Sequence, residues 1–171
     1  MNPLKMIVGF PRPIQLRRLL RDVAALGVCE LYLTGTELGE KSYMQSDLAQ
    51  PDAARELLRE GTVQAGSTHV PQVFVHKTLS ETLHHICRRE GPQLICLDNV
   101  NPACSLGEVD FSSTSGVIAA IGSERGWTDK ERALLEDAGF TRCGMGTRIM
   151  RTETAATVAG AIILNAMGVL K

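Results

Sequence analysis

Short apolar runs separated by stretches of helical periodicity govern what this chain can fold into. Leu4 to Phe10, Cys29 to Thr34, Pro71 to Val75, Gln93 to Leu97, Gly116 to Ile121 and Phe140 to Cys143 are each long enough for one strand and too short for a helix. Between the first two runs, Leu16, Leu19, Leu20 and Val23 recur at i, i+3, i+4 and i+7, and Gly27 ends that amphipathic helix. Pro51 opens a second helix through Leu57 and Leu58. Thr78 with Glu81, and Thr128 with Glu131, have capping-box spacing, which predicts helices running to about Arg89 and to Gly139. A last helix is expected from Thr152 to about Leu170. This alternation predicts an α/β fold, a mainly parallel six-stranded sheet with helices on both faces, as a single domain over residues 1–171.

Composition narrows the function. At 171 residues and 44% hydrophobic, the chain can bury one full core. A net charge of −1 gives no general attraction to nucleic acid, so any such affinity must come from a local patch. The best basic cluster is Arg12, Arg17, Arg18 and Arg21, a pattern that a solvated helix face also produces. No apolar run approaches about 18 uninterrupted residues and no signal-peptide pattern opens the chain, which predicts a cytoplasmic protein without a membrane partner. Five cysteines, Cys29, Cys87, Cys96, Cys104 and Cys143, are odd in number and lack a C-x-x-C pair, against both a disulfide framework and a zinc cage. Cys29, Cys96 and Cys143 lie in apolar runs, as small buried hydrophobes do. His84, His85 and Cys87 cluster on one helix, but adjacent histidines point to different faces, so no metal is expected. Gly35 to Ser42 looks like a P-loop until its spacing is counted: three residues rather than four separate the glycines, and Glu40 stands between Gly39 and Lys41.

The chemistry concentrates near the end. Ile121-Gly122-Ser123-Glu124-Arg125-Gly126-Trp127 leaves one apolar run, and Cys143-Gly144-Met145-Gly146-Thr147-Arg148-Ile149-Met150-Arg151-Thr152-Glu153 leaves another. Glycine lets the backbone come close and adopt positive φ, so such loops offer bare amides and carbonyls to a flat polar ligand. Arg148, Arg151 and Glu153 put charge at the start of the last helix.

The two motifs are similar to those of the RsmE family of RNA methyltransferases, of the SPOUT class. That family carries G-[PS]-E-G-G-[FLW] and then L-G-x-R-[IV]-L-R-T-E-T-A. Gly122, Ser123, Glu124, Gly126 and Trp127 match the first, and Gly146, Arg148, Ile149, Arg151, Thr152, Glu153, Thr154 and Ala155 the second. The resemblance covers Gly116 to about Met167, with an earlier echo of Q-S-G-R-T-R-V-P at Gln64 to Pro71. It implies a C-terminal trefoil knot, S-adenosylmethionine as cofactor, N3 of a uridine in small-subunit ribosomal RNA as acceptor, and a homodimer through the last helix. Carried over residue by residue, it assigns cofactor binding to Ile121, Gly122, Ser123, Glu124, Gly126, Met145, Gly146, Ile149, Met150, Arg151 and Thr152. Arg151 is the candidate cation that stabilises a uracil anion, and Glu153 or Glu124 the proton acceptor. Arg148 joins Arg12, Arg17, Arg18 and Arg21 as the candidate RNA-binding set.

Several of these residues also have purely structural uses. Glu153 suits the first turn of a helix whatever the function, Thr152 suits an N-cap, and Arg148 or Arg151 would lock the loops together by pairing with Glu124. Trp127 reads as a packing anchor behind its loop. The last helix is apolar nearly all round, so it is enclosed either by its own core or by a second subunit, and an aspartate at Ile163 is expected to break the dimer or unfold the chain. Three departures from the family stand out. Arg125 replaces a glycine, which predicts a strained or altered first loop; Ser67 and His69 replace arginines, and Asp22 a lysine. The family's N-terminal PUA-like barrel is expected to be absent from this chain. The alternative to an enzyme is therefore a module that binds S-adenosylmethionine or RNA with little or no catalysis.

Overall fold

The computed structural model describes residues 2–86 and 91–170. Its strands are β1 (Leu4–Gly9), β2 (Glu30–Thr34), β3 (Gln72–His76), β4 (Pro92–Leu97), β5 (Cys104–Ser105), β6 (Gly116–Ile121) and β7 (Thr141–Gly144). Its helices are α1 (Pro13–Ala25), α2 (Pro51–Gln64), α3 (Leu79–His85), α4 (Asp129–Asp137) and α5 (Thr152–Ala166). One sheet runs in the order β3-β2-β1-β6-β4-β7-β5, and its strand pairings are parallel throughout. Parallel strands need crossovers, and those crossovers cover both faces.

Period-two alternation sorts the core into two layers. Met6, Val8, Leu31, Leu33, Ala119 and Ile121 pack with Leu16, Leu19, Leu20 and Val23 of α1 and with α2 and α5. Ile7, Tyr32, Cys96, Ile118 and Ala120 pack on the opposite face with Leu79 of α3 and Leu135 of α4. Each fully buried leucine or isoleucine contributes about 1.5–3 kcal/mol of transfer free energy, so both layers stabilise the sheet.

The sheet has seven strands, not the expected six. The addition, β5, is a two-residue strand inside the Asn- and Ser-rich stretch after Leu97, too short to carry any periodicity. A capping box between Ser105 and Glu108 follows it and opens a short 3-10 turn. Elsewhere the helix signals resolve in detail. Thr128 and Glu131 form the reciprocal box, whereas Thr78 accepts from the Glu81 amide while the Glu81 carboxylate accepts from the Lys77 amide instead. The expected end of α3 at Arg89, and Cys87, lie outside the described residues. Helix α5 stops at Ala166 rather than near Leu170, because Gly168 turns the chain at φ +72° and the Val169 amide bonds back to the Leu164 carbonyl.

Helices α1 and α2 meet backbone to backbone at Gly61, where a Cβ would stand 2.8 Å from the Arg21 Cα. Gly61→Ala is therefore expected to destabilise the fold by about 1–3 kcal/mol, even though alanine favours an isolated helix by about 1 kcal/mol. Urea unfolding of the variant measures this, and stability equal to or above the unmodified protein's would contradict that contact.

Candidate functional site

Strand β6 is buried along its whole length and ends at Ile121, where the chain must turn. The Gly126 amide donates to the Ser123 carbonyl at 2.8 Å, closing a four-residue turn with Glu124 and Arg125 at its centre. Gly126 takes the positive φ, +74°, and Arg125 does not, so the strain expected from Arg125 is absent. Trp127, 2% exposed, anchors the far side of the turn in the second core layer, as its sequence context predicts.

The second loop leaves β7 and enters α5. Gly146 sits at φ +97° with open space where a Cβ would be, so its dihedral, not close approach, demands glycine there. Arg151, not Thr152, is the N-cap residue, and it makes no side-chain cap. Thr152 instead begins the helix and donates from Oγ1 to the Gly122 carbonyl at 3.3 Å, which ties the two loops directly.

Between these loops, at the C-terminal ends of β4, β6 and β7, lies a cavity of about 240 Å³. Open α/β sheets place ligands at this edge. Of the residues expected to bind a cofactor, Ile121, Gly122, Ser123, Glu124, Gly126, Met145, Gly146, Ile149, Met150 and Thr152 line it, and Arg148 and Arg125 join them. Arg151 is exposed and stands outside the lining. Glu153 also stands outside: it is 5% exposed and its Oε2 is buried without a hydrogen-bond partner.

The third wall is Asp98, Asn99 and Val100, at the start of the long loop Asp98 to Ser115 that its place at a strand end marks as a site region, together with Arg132 of α4; none of the four is among the expected site residues. Arg132 Nε donates to Asp98 Oδ2 at 2.6 Å and its Nη1 to Asp129 Oδ1 at 2.8 Å, while Asp98 Oδ1 accepts from the Val100 amide at 3.1 Å. The Asp98 and Arg132 side chains are only 2% and 14% exposed. The bond to Asp98 raises the Arg132 pKa further, against the effect of burial. The one available signal was position, since Asp98 and Asn99 follow an apolar strand directly. At the cavity's base the Cys143 thiol is pushed up to about 12, first by burial and then by the Cys104 thiol 3.1 Å away. It stays protonated at neutral pH and acts as a small hydrophobe.

Charge is distributed differently from expectation. Glu124 pairs with neither Arg148 nor Arg151; its partner is Arg12, with Nε 3.3 Å away. Arg148, Arg151 and Arg125 have no ion partner among the described residues. The Arg12, Arg17, Arg18 and Arg21 cluster is exposed but divided. Arg12 precedes α1 and faces the site, Arg21 pairs with Glu60 at 2.6 Å, and Arg17 and Arg18 have no ion partner among the described residues. Two further departures find structural uses: Asp22 accepts from Thr157 Oγ1 at 3.2 Å, joining α1 to α5, and Ser67 Oγ accepts from the His69 amide at 3.2 Å.

Residues 1–164 match the family model described as an RNA methyltransferase domain. The chain belongs to this family. A Treponema pallidum member named ribosomal RNA small subunit methyltransferase E is 45% identical over 165 residues, 95% of this chain and 62% of that protein. A Borreliella burgdorferi member, ribosomal RNA small subunit methyltransferase E 1, is 31% identical over 95% of this chain and 67% of its own length. The chain thus spans about three fifths of the first relative and two thirds of the second. The crystal structure of the Neisseria gonorrhoeae methyltransferase E bound to S-adenosyl methionine shares the fold, with a TM-score of 0.84 at 23% identity over 96% of this chain and 66% of that one.

The buried ion pair in the cavity's third wall is testable. Arg132→Met leaves the Asp98 carboxylate without its cation and is expected to cost about 3 kcal/mol, while adding Asp98→Asn should recover part of that loss. Chemical denaturation of both variants checks it, and a single variant as stable as the unmodified protein would contradict the pairing.

Proposed function

We propose that this chain is the methyl-transferring part of an S-adenosylmethionine-dependent RNA methyltransferase that modifies N3 of a uridine in small-subunit ribosomal RNA, in the cytoplasm. One observation carries the reading: both glycine loops and the end of β4 converge on a single cavity. The Treponema pallidum relative is named for small-subunit ribosomal RNA, and the gonococcal neighbour was solved with the cofactor bound, which supports the substrate and the cofactor.

The donor set fits such a ligand. Ile121, Met145 and Ile149 supply apolar sides for a flat base, and the backbone of the two loops supplies donors and acceptors. Ile149, 83% exposed at the rim, is a large apolar side chain left for a ligand or partner to cover. S-adenosylmethionine would supply a sulfonium methyl carbon for the acceptor nitrogen to attack in line, with the neutral thioether as leaving group. The protein's share is positioning and field. Glu124, at the rim, is the carboxylate better placed than Glu153 to accept the N3 proton. Arg151, proposed from the family motif as the cation for the uracil anion, is exposed and outside the cavity lining, so the geometry lends that role no support.

The proposal includes a trefoil knot at the C-terminal end. Strand β7 lies between β4 and β5, so the short link joining those two strands passes across it, and the Asp98 amide to Cys143 carbonyl and Ala103 amide to Arg142 carbonyl bonds hold that link in place. It also includes a homodimer through α5. Val158, Ala161 and Ile162 form a half-buried apolar strip, whereas Ile163 is fully buried in the chain's own core. An aspartate at Ile163 would therefore test the core, and Ile162 is the position that tests the interface.

Calorimetry with S-adenosylmethionine is expected to show binding that Gly146→Val weakens at least about tenfold, or about 1.4 kcal/mol, through the strain of a β-branched residue at positive φ. Unchanged affinity in the folded variant would remove the second loop from the site. Sedimentation at high micromolar concentration is expected to give a dimer that Ile162→Asp converts to a folded monomer. A monomeric unmodified protein would contradict the interface.

A further inference from the structure

A second, smaller cavity of about 70 Å³ lies on the other side of the Ser123 to Arg125 turn, lined by Phe10, Arg12, Tyr43, Glu124 and Arg125 together with Leu38 to Glu40. We infer that it is the acceptor compartment, where one nucleotide of an RNA strand docks by its base edge and its phosphate. The inference rests on the methyltransferase reading and adds to it where the acceptor goes and which residues hold it.

Transfer in line requires donor and acceptor atoms about 3–3.5 Å apart at reaction, so the acceptor must occupy space that adjoins the cofactor's. The two cavities share one wall, and that wall is a tight turn with Glu124 and Arg125 at its centre. Ser123, Glu124 and Arg125 line both cavities, so the two compartments adjoin across this turn.

The compartment is built rather than incidental. Phe10 forms a floor, 3% exposed, with its amide bonded to the Thr34 carbonyl at 2.8 Å. Arg12 Nε is held between the Tyr43 hydroxyl at 3.0 Å and Glu124 Oε2 at 3.3 Å. The outer wall is pinned through Glu37: its amide donates to the buried Glu131 Oε1 at 2.9 Å, its carboxylate accepts from Thr128 Oγ1 at 2.8 Å, and Lys130 lies 3.1 Å away. The capping-box glutamate thus also fixes a loop of the small cavity.

Its chemistry suits a nucleotide. Arg125 has no ion partner among the described residues, leaving a planar guanidinium for a phosphate. Arg12, Tyr43 and Glu124 together present donors and an acceptor, the complement of a base edge that carries both. The Arg12–Glu124 pair is largely exposed, at 59% and 32%, and so opens at little cost to admit that edge. Arg125, the residue that departs from the family's glycine, thereby gains a use.

Fluorescence anisotropy with a short uridine-rich single-stranded RNA, alongside calorimetry with S-adenosylmethionine, tests the compartment on folded Tyr43→Ala and Arg125→Gly variants. Each should weaken RNA binding at least about fivefold, and Arg125→Gly should reduce the salt slope by about one. Tyr43→Ala, outside the large cavity, should keep cofactor affinity within about twofold of the unmodified protein. If the unmodified protein fails to bind the cofactor, the methyltransferase reading falls and the compartment with it. If it binds cofactor yet RNA binding is undetectable, or is insensitive to Tyr43→Ala whatever Arg125→Gly does, the compartment is overturned and the cofactor site stands.

Discussion

The parallel pairing of β1 with β6 is the constraint from which the rest of the site follows. It joins segments more than a hundred residues apart in sequence, with Leu4 opposite Val117 and Val8 opposite Ile121, at the middle of a sheet buried on both faces. One residue beyond that register, Gly9 meets the start of the first loop, where a Cβ would stand 2.8 Å from the Gly122 carbonyl carbon. Bare backbone therefore packs against bare backbone, and Phe10 and Arg12 arrive beside Ser123 and Glu124. Since every paired strand runs the same way, the ends of β4, β6 and β7 open on the same edge.

Much of this was legible in the sequence because the signals are local. Six apolar runs became six strands, and the i, i+3, i+4, i+7 apolar residues of α1 are all buried. The two glycine motifs held enough of the cavity to name ten of its lining residues from the expected cofactor set. What escaped depends on contacts between distant segments. Two residues at β5 cannot display a period, and they form a strand only because β7 offers an edge. Asp98 and Arg132 are far apart in sequence and carry no shared motif. Glu124 pairs with neither of its expected partners, Arg148 and Arg151, since the fold delivers Arg12 from the start of the chain.

Arg125 shows why a motif departure must be read through geometry. A Gly-Gly pair in a turn permits positive φ at either position, so its loss at the first looks damaging. In this turn the positive φ falls on Gly126 alone, and the preceding position accepts any L residue. The substitution alters charge at the lip of two cavities without altering the backbone. Arg148, on the second loop, carries a further cation at the large cavity, so positive charge that the overall balance of −1 conceals is gathered at one edge.

Both glycine loops line one cavity at the ends of β4, β6 and β7, where a ligand would be held between them. A crystal structure of the protein grown with S-adenosylmethionine is expected to show ligand density bounded by Gly122 to Gly126 on one side and Met145 to Met150 on the other, with the Gly122–Thr152 tie intact. Ligand density elsewhere on the molecule, or these two loops closed over an empty cavity at saturating ligand, would contradict that placement.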